Sequence, residues 1–176
     1  MPQPPLSERY DVLETLFEDA THRILAAVDR STGARVHVVR FDPSIQPEPS
    51  VLDRIREVNE RLKELRSSVV GVFVEDGSDE QGIFFVFPVA EGTLLLDKAI
   101  RKTGDDAVWL GLAYQLLQAT KLSQGVGIYH GGLCSRFVAS EAMPEGPPRL
   151  KVFGFGLAML FPAFDARRKD APFFGD

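Results

Sequence analysis

Residues 128–158 read IYHGGLCSRFVASEAMPEGPPRLKVFGFGLA, and this stretch decides how the rest of the chain is interpreted. Two short apolar segments flank a Pro- and Glu-containing turn over residues 141–148, and each segment adjoins a Gly-bearing loop. These loops are HGGL before the first segment and GFG after the second. Because glycine lets a backbone approach a ligand closely or adopt positive φ, such a pair of loops is typical of a functional site.

The bulk composition is that of an ordinary globular domain. The chain has 176 residues, of which 44% are apolar, and a net charge of −5, which gives no electrostatic reason to expect a nucleic-acid partner. The single Cys134 excludes an internal disulfide and suits a reducing compartment. The longest apolar runs are far shorter than the about 20 residues that span a bilayer. We therefore expect a cytoplasmic protein without membrane insertion in this segment.

The first half of the chain predicts a mainly β region that contains one amphipathic helix. After a flexible tail over residues 1–9, strands are predicted in YDVLETL, HRILAAV and VHVVRF. The segment 50–68 predicts a helix with Ser50 as its N-cap, because apolar residues recur at steps of three and four along one face. A strand over 69–75, a turn, and a second strand in IFFVFPV follow.

Two helices are predicted before the Gly-bearing loops. The first is a short helix over 94–102 that ends near Gly104. The second begins at Asp105 or Asp106 and runs to Gln124, and its apolar content on more than one face indicates a buried helix.

This order of elements resembles the eukaryotic-like Ser/Thr protein kinase fold over about residues 10–176. The resemblance implies an α+β fold whose kinase-like N-lobe, over 10–90, has a five-stranded antiparallel sheet and an αC-type helix. It implies a truncated, mainly helical C-lobe over 91–176, which contains a hinge, two helices, degenerate catalytic and DFG-type loops, and the start of an activation segment. APFFGD at the end resembles the approach to the family's APE segment, so we expect an excerpt of a longer protein. A truncated protein that dimerises and a tail that covers the long helix are the alternatives.

The first turn of the kinase fold carries a Gly-rich loop whose backbone covers the ATP phosphates. LFEDATHRILAAVD (16–29) aligns with the family's LGxGxxGxVxxAxD, and Ile24 keeps an apolar position. The resemblance places the three glycines at Phe17, Asp19 and His22. Without those glycines, and with acidic residues in the turn, the segment is interpreted as a plain hairpin.

The third strand of a kinase carries a phosphate-binding lysine, for which VHVVR offers Val39 or Arg40. Successive strand residues point to opposite faces, so one of the two faces the nucleotide cleft. Arg40 would pair with Glu57, or less favourably Glu60, on the amphipathic helix; the alternative is that these are solvated surface charges. Phe87 takes the gatekeeper position and Ala90 the adenine-facing hinge position, although Phe87 also suits plain core packing.

The catalytic loop carries the clearest departures from the family pattern. GIYHGGLCSRFV aligns without a gap with GIxHRDLKPxNI, and it retains His130 and Leu133. The catalytic Asp becomes Gly132, the Lys becomes Cys134, and the metal-binding Asn becomes Phe137. Neither Gly nor Phe accepts a proton or ligates a cation.

The DFG segment loses its acid in the same way. VFGFGLA places Gly154 at the metal-binding Asp and retains Phe155 and Gly156. The base and both metal ligands are therefore replaced, and the retained residues are ones that pack in the family's scaffold. A metal site built on His130 and Cys134 is disfavoured because the other histidines, His22 and His37, are dispersed along the chain.

The resemblance implies a catalytically inactive pseudokinase that acts as a regulatory or scaffolding module in signalling. We expect it to bind a protein, either an active kinase or a second copy of itself, with ATP and Mg²⁺ binding lost or weak. The alternatives are a divergent nucleotide-binding enzyme that uses Arg40 and Glu57, and a self-assembling structural domain.

Overall fold

The computed structural model describes residues 5–100, 106–143 and 147–161. The features predicted at residues 1–4, at Gly104 and Asp105, and over 162–176 lie outside the described residues. The fold is α+β, with a five-stranded antiparallel sheet in the order β1-β2-β3-β5-β4 and a three-stranded sheet in the order β6-β7-β8.

The larger sheet consists of β1 (Tyr10–Glu18), β2 (His22–Asp29), β3 (Arg35–Phe41), β4 (Glu75–Asp79) and β5 (Gly82–Pro88). The smaller sheet consists of β6 (Leu94–Leu95), β7 (Val138–Glu141) and β8 (Arg149–Val152). The α-helices are α1 (Leu6–Arg9), α2 (Pro49–Lys63), α3 (Leu96–Ile100) and α4 (Asp106–Gly125). Short 3-10 turns cover Ser135–Phe137 and Leu157–Leu160.

The larger sheet is covered on both faces, and the alternation of β3 shows how. Val39 and Phe41 pack on one face with Ile55 of α2. Val36 and Val38 pack on the opposite face with the N-terminal residues. Because successive side chains alternate, a nearly continuous apolar strand such as β3 is the pattern of a strand buried on both sides.

The predicted flexible tail is wrong for residues 6–9. Leu6–Arg9 forms one helical turn, Leu6 is buried against the outer face of the larger sheet, and its N–H donates to Asp79 Oδ2 at 3.2 Å. Tyr10 continues this contact by donating its hydroxyl to Glu75 Oε2 at 2.6 Å. The Pro-rich composition of residues 1–9 favoured a flexible tail. The segment is anchored instead by one apolar side chain and by hydrogen-bond partners more than sixty residues away in the sequence.

The fourth strand lies later in the chain than the apolar pattern predicted. The sequence favoured a strand over 69–75, whereas β4 is Glu75–Asp79, in the polar run EDGSD. Its acids are held by arginines: Arg56 donates to Asp76, and Arg40 donates to Asp79. Val69 and Val70 instead form a buried connection that meets β8, where the Val152 N–H donates to the Val69 carbonyl at 2.9 Å.

Helix α2 is fixed against the sheet by a buried asparagine. Asn59 Nδ2 donates to the Phe73 carbonyl and the Phe73 N–H donates to Asn59 Oδ1, both at 2.9 Å. The helix begins at Pro49, which supplies a favourable first-turn residue. Ser50 therefore lies inside the helix, and the predicted Ser50 N-cap is wrong.

Helix α4 packs on the smaller sheet along one face and exposes apolar side chains along the other. Gln115 accepts the Leu150 N–H at 2.8 Å and donates to the Pro148 carbonyl at 3.1 Å. On the opposite face Leu110, Tyr114 and Leu117 are 73%, 68% and 69% exposed. Within the described ranges, none of the helices combines the length and apolar content that a membrane crossing requires.

Candidate functional site

Aromatic rings fill the region between the β1–β2 hairpin and the 3-10 turn at Ser135–Phe137. We call Phe17, His22, Phe41, Phe137 and Phe161 the aromatic cluster. His22 is at its centre, with ring centroids 5.2 Å from Phe17, 5.8 Å from Phe41, 5.7 Å from Phe137 and 5.0 Å from Phe161. His22 and Phe137 are nearly parallel, at 10°. The resemblance assigns these two positions to a phosphate-loop glycine and a metal ligand, and here they stack on each other.

Phe137 also lies against Gly154, which the resemblance aligns with the second metal ligand of a kinase. Gly154 has a φ of +82°, and a Cβ built on it would come 2.6 Å from Phe137 Cδ1. Contacts this short do not occur between real side chains, so position 154 has no room for the first carbon of an aspartate. The phenylalanine at 137 and the glycine at 154 are therefore coupled sterically.

The β1–β2 hairpin is tied to the 3-10 turn by an ion pair. Arg136 Nη1 lies 2.9 Å from Asp19 Oδ2, and its guanidinium lies 4.6 Å from the Phe17 ring centroid. Although partial burial opposes the shift, hydrogen bonds from the Thr21 hydroxyl and N–H and the His22 N–H lower the pKa of Asp19 to about 2. Asp19 is thus an anion whose ion pair with Arg136 joins the β1–β2 hairpin to the 3-10 turn.

The structure resolves the choice between Val39 and Arg40, and it corrects the proposed pairing. Val39 lies on the face of β3 toward the aromatic side of the core and is fully buried. Arg40 faces the other way, where Nη2 lies 2.6 Å from Asp79 Oδ2 and Nη1 donates to Gln81 Oε1 at 2.6 Å. Glu57 is exposed on α2. The predicted Arg40–Glu57 pair is wrong because strand alternation directs Arg40 away from α2.

Two further positions of the vestigial pocket, Phe87 and Ala90, have ordinary structural roles. Phe87 is buried, with ring centroids 5.2 Å from Phe153 and 6.1 Å from Phe73. Ala90 is exposed, and its carbonyl accepts hydrogen bonds from the hydroxyl and N–H of Thr93 at 2.7 and 3.3 Å. Ile24, the remaining apolar position, lies fully buried in the same core.

The retained residues of the lower loop divide into packed and exposed ones. His130 Nε2 lies 2.8 Å from the Phe153 carbonyl, and its ring is 4.8 Å from Phe155. Gly156, at a φ of +82°, faces Val58 of α2. Leu133, predicted to be a structural residue, is 40% exposed instead.

The other replaced positions of that loop offer no catalytic group. Gly132 is exposed, and a Cβ there would make only an ordinary 3.8 Å contact with Ala158. Cys134 is half-buried, and its Sγ accepts from Arg136 Nε at 3.0 Å. Position 132 could thus sterically hold a side chain, unlike position 154.

His37 is a buried residue of this region that the sequence interpretation did not assign a role. It lies two residues before Val39 on the same face of β3, and its ring is 6.1 Å from Phe153. Burial, and to a smaller extent the cation of Lys151, lower the pKa of His37 to about 4 against the opposing effect of the Glu141 carboxylate. Burial also lowers the pKa values of His22 and His130. Strand alternation from Val39 was the signal that identifies His37 as inward-facing.

Cation-binding groups are not gathered in this region. Among the described residues, no group of three or more His, Cys, Asp or Glu side chains is arranged to hold a metal ion. Cavities lie elsewhere among the described residues. A groove of about 590 Å³ borders Ile45, Leu52 and Ile83, and a cavity of about 220 Å³ borders Pro88, Arg149 and Lys151.

The chemistry available in the aromatic cluster is limited to apolar and ring contacts. Its side chains are carbon rings and one buried imidazole, and its nearest carboxylate, that of Asp19, is engaged with Arg136. Comparison with known proteins yields no match: no protein-family model matches the chain, and no curated protein matches its sequence.

Proposed function

We propose that this chain is a kinase-like module that has lost phosphotransfer and acts in the cytoplasm by binding a protein partner. The kinase resemblance is supported by a five-stranded antiparallel sheet with α2 inserted after the third strand. It is also supported by two paired short strands, β7 and β8, between the degenerate loops. The resemblance extends to the arrangement of strands and helices. The side chains at the aligned site supply none of the catalytic groups of a kinase.

The observation that carries the proposal is the packing of Phe137 against both His22 and Gly154. In an active kinase the positions aligned with Phe137 and Gly154 ligate the metal, and the position aligned with His22 lies beside phosphate. Here Phe137 packs against both of the other two residues inside a core. A nucleotide could enter only by displacing buried rings, and burying a Phe side chain stabilises a fold by about 1.5–3 kcal/mol.

A role in binding proteins is supported by the exposed face of α4. Leu110, Tyr114 and Leu117 are one helical turn apart and more than two-thirds exposed. Contiguous exposed apolar side chains of this kind mark surfaces that bind other proteins. Self-assembly through the same face is the second candidate, and light scattering distinguishes it: a strict monomer at high concentration removes self-assembly and leaves a different protein as the partner.

Phosphotransfer is tested by incubating the protein with radiolabelled ATP, Mg²⁺ and generic protein substrates. We expect no more label than in a heat-denatured sample. Label that the native protein incorporates would favour the divergent enzyme. Label of any kind above that background would contradict the proposal.

A further inference from the structure

The cavity of about 220 Å³ is lined by basic and hydroxyl groups as well as by apolar residues. We call it the rear cavity. Its walls come from the connection after α2, from the end of β5 at Pro88, and from β8. The connection is held in place, since the Gly71 N–H donates to the Val152 carbonyl at 2.6 Å. A Cβ on Gly71 would come 2.8 Å from Phe153 Cβ, so this wall has little freedom to move.

Two cations on β8 converge on one buried carboxylate beside the rear cavity. Arg149 and Lys151 are two residues apart on the strand and therefore project to the same face. Arg149 donates through Nε and Nη2 to Glu141 Oε2 at 2.8 and 2.7 Å, and Lys151 Nζ lies 3.0 Å from Glu141 Oε1. Glu141 is 1% exposed, and despite the opposing effect of burial these two partners lower its pKa. Two cations thus share one anion, which leaves one positive charge at the cavity.

The donors that remain match an oxyanion in number and type. A lysine ammonium has three N–H groups and an arginine has five. Arg149 uses Nε and Nη2 on Glu141, and the only other contact described for Lys151 Nζ, within the described residues, is the Pro88 carbonyl at 3.5 Å. Ser67 and Ser68 add two hydroxyls to the lining, and Ser67 Oγ accepts the Val69 N–H, which leaves its own proton available to donate.

We propose that the rear cavity binds a phosphate monoester or inorganic phosphate, held by Lys151, Arg149 and the hydroxyl of Ser68. Its volume is below the range of about 300–1,000 Å³ typical of pockets for drug-sized ligands, which suits a single oxyanion group rather than a nucleotide. Charge-assisted hydrogen bonds to phosphate are about twice as strong as neutral ones. The proposal does not depend on the kinase resemblance, because it uses only the contacts around Glu141.

The test is a titration of the melting temperature with sodium phosphate at constant ionic strength, on the wild-type protein and on Lys151→Gln. Lys121→Gln, an equal charge change on the exposed surface of α4, is the matched control. We expect saturable stabilisation in wild type and Lys121→Gln, and at least tenfold weaker apparent affinity in Lys151→Gln. Ser68→Ala leaves the Glu141 contacts intact and should weaken binding three- to tenfold. This variant keeps the proposal testable if Lys151→Gln folds poorly.

Phosphate also stabilises proteins by exclusion from their surface, an effect that does not depend on one lysine. An equal rise of the melting temperature in all four proteins, or no rise in wild type, would overturn the proposal. Parallel titrations with a short alanine-based phosphoserine peptide and its unphosphorylated form identify the source. Tighter binding of the phosphopeptide than of inorganic phosphate assigns the cavity to phosphorylated segments, and binding of inorganic phosphate alone assigns it to the free ion.

Discussion

The ring of Phe137 lies against the Cα of Gly154, so close that a Cβ on Gly154 would come 2.6 Å from Phe137 Cδ1. These two residues stand where the kinase resemblance places the two metal ligands. Each replacement depends on the other: the phenyl ring needs a residue without a side chain beside it, and the glycine at a φ of +82° leaves a space that the ring fills.

Gly154→Ala should therefore destabilise the protein by about 2–5 kcal/mol, from the cost of a left-handed backbone plus overpacking against Phe137. Gly33→Ala is the control, because Gly33 has a φ of +72° and nothing within 4 Å of a Cβ, and it should cost about 1–2 kcal/mol. Urea unfolding measures both. In a Phe137→Val background, which removes the δ carbons, the cost of Gly154→Ala should fall toward that of Gly33→Ala. An unchanged cost would show that the Phe137 ring is not the obstacle.

Arg40 and Glu57 should differ sharply in their effects on stability. Arg40→Met leaves Asp79, whose side chain is 12% exposed, without its cation, and breaking a largely buried ion pair costs up to about 3–5 kcal/mol. Glu57→Ala changes an exposed helix residue and should alter the free energy of unfolding by less than about 0.5 kcal/mol. Chemical denaturation of both variants tests this. Equal losses of unfolding free energy in the two variants would instead support the Arg40–Glu57 ion pair that the sequence alone suggested.

Acidification should destabilise the protein through its buried histidines. His37 has its pKa lowered to about 4 by burial, so between pH 6.5 and 4 the unfolded chain binds a proton there that the folded chain does not. Stability is therefore full above pH 6.5 and falls as the pH drops, by about 3 kcal/mol at pH 4 from this residue. His37→Leu should remove that part of the slope between pH 6.5 and 4. A variant with the same slope as wild type would contradict the assignment.

The Asp19–Arg136 pair should contribute a small, salt-sensitive coupling. Both side chains are 35% exposed, so solvent screens the pair and a double-mutant cycle with Asp19→Ala and Arg136→Ala should give about 0.2–1 kcal/mol. The value should shrink in 1 M NaCl, where the Debye length is about 3 Å. The cycle for Arg30 and Asp11, which are 51% and 56% exposed, provides a weaker reference pair. Zero coupling between Asp19 and Arg136 at low salt would show that this ion pair does not stabilise the contact between the β1–β2 hairpin and the 3-10 turn.

The sequence predicted the α+β class, the strands β1 to β3 and β5, the hairpin of β7 and β8, and the start of α4, because each has a strong apolar period or turn signal. It failed at β4, where the polar run Glu75–Asp79 pairs with β5 because arginines from β3 and α2 hold its acids. It also failed at Leu6, whose burial depends on distant partners. Local patterns do not contain such long-range contacts.

At the site, alignment with kinase motifs identified the positions of Phe137 and Gly154 but not their contact. That contact arises from a φ of +82° and a ring orientation, neither of which is encoded in residue type alone. If one residue of β3 is known to face α2, the alternation of the strand is enough to place Val39 on that face and Arg40 on the opposite one. His37 and Arg136 were missed because the family motifs assign them no function.

The central claim is that the region aligned with the nucleotide site of a kinase is a packed core, and the most direct measurement is the melting temperature during titration with ATP and Mg²⁺. A ligand that binds the folded state at 100 times its Kd stabilises it by about 2.7 kcal/mol, which gives a clear upward shift. Adenosine and ATP with EDTA separate base recognition from metal-dependent phosphate binding. We predict no saturable shift with adenosine and no Mg²⁺-dependent shift with ATP; a saturable, Mg²⁺-dependent rise with ATP would contradict the account.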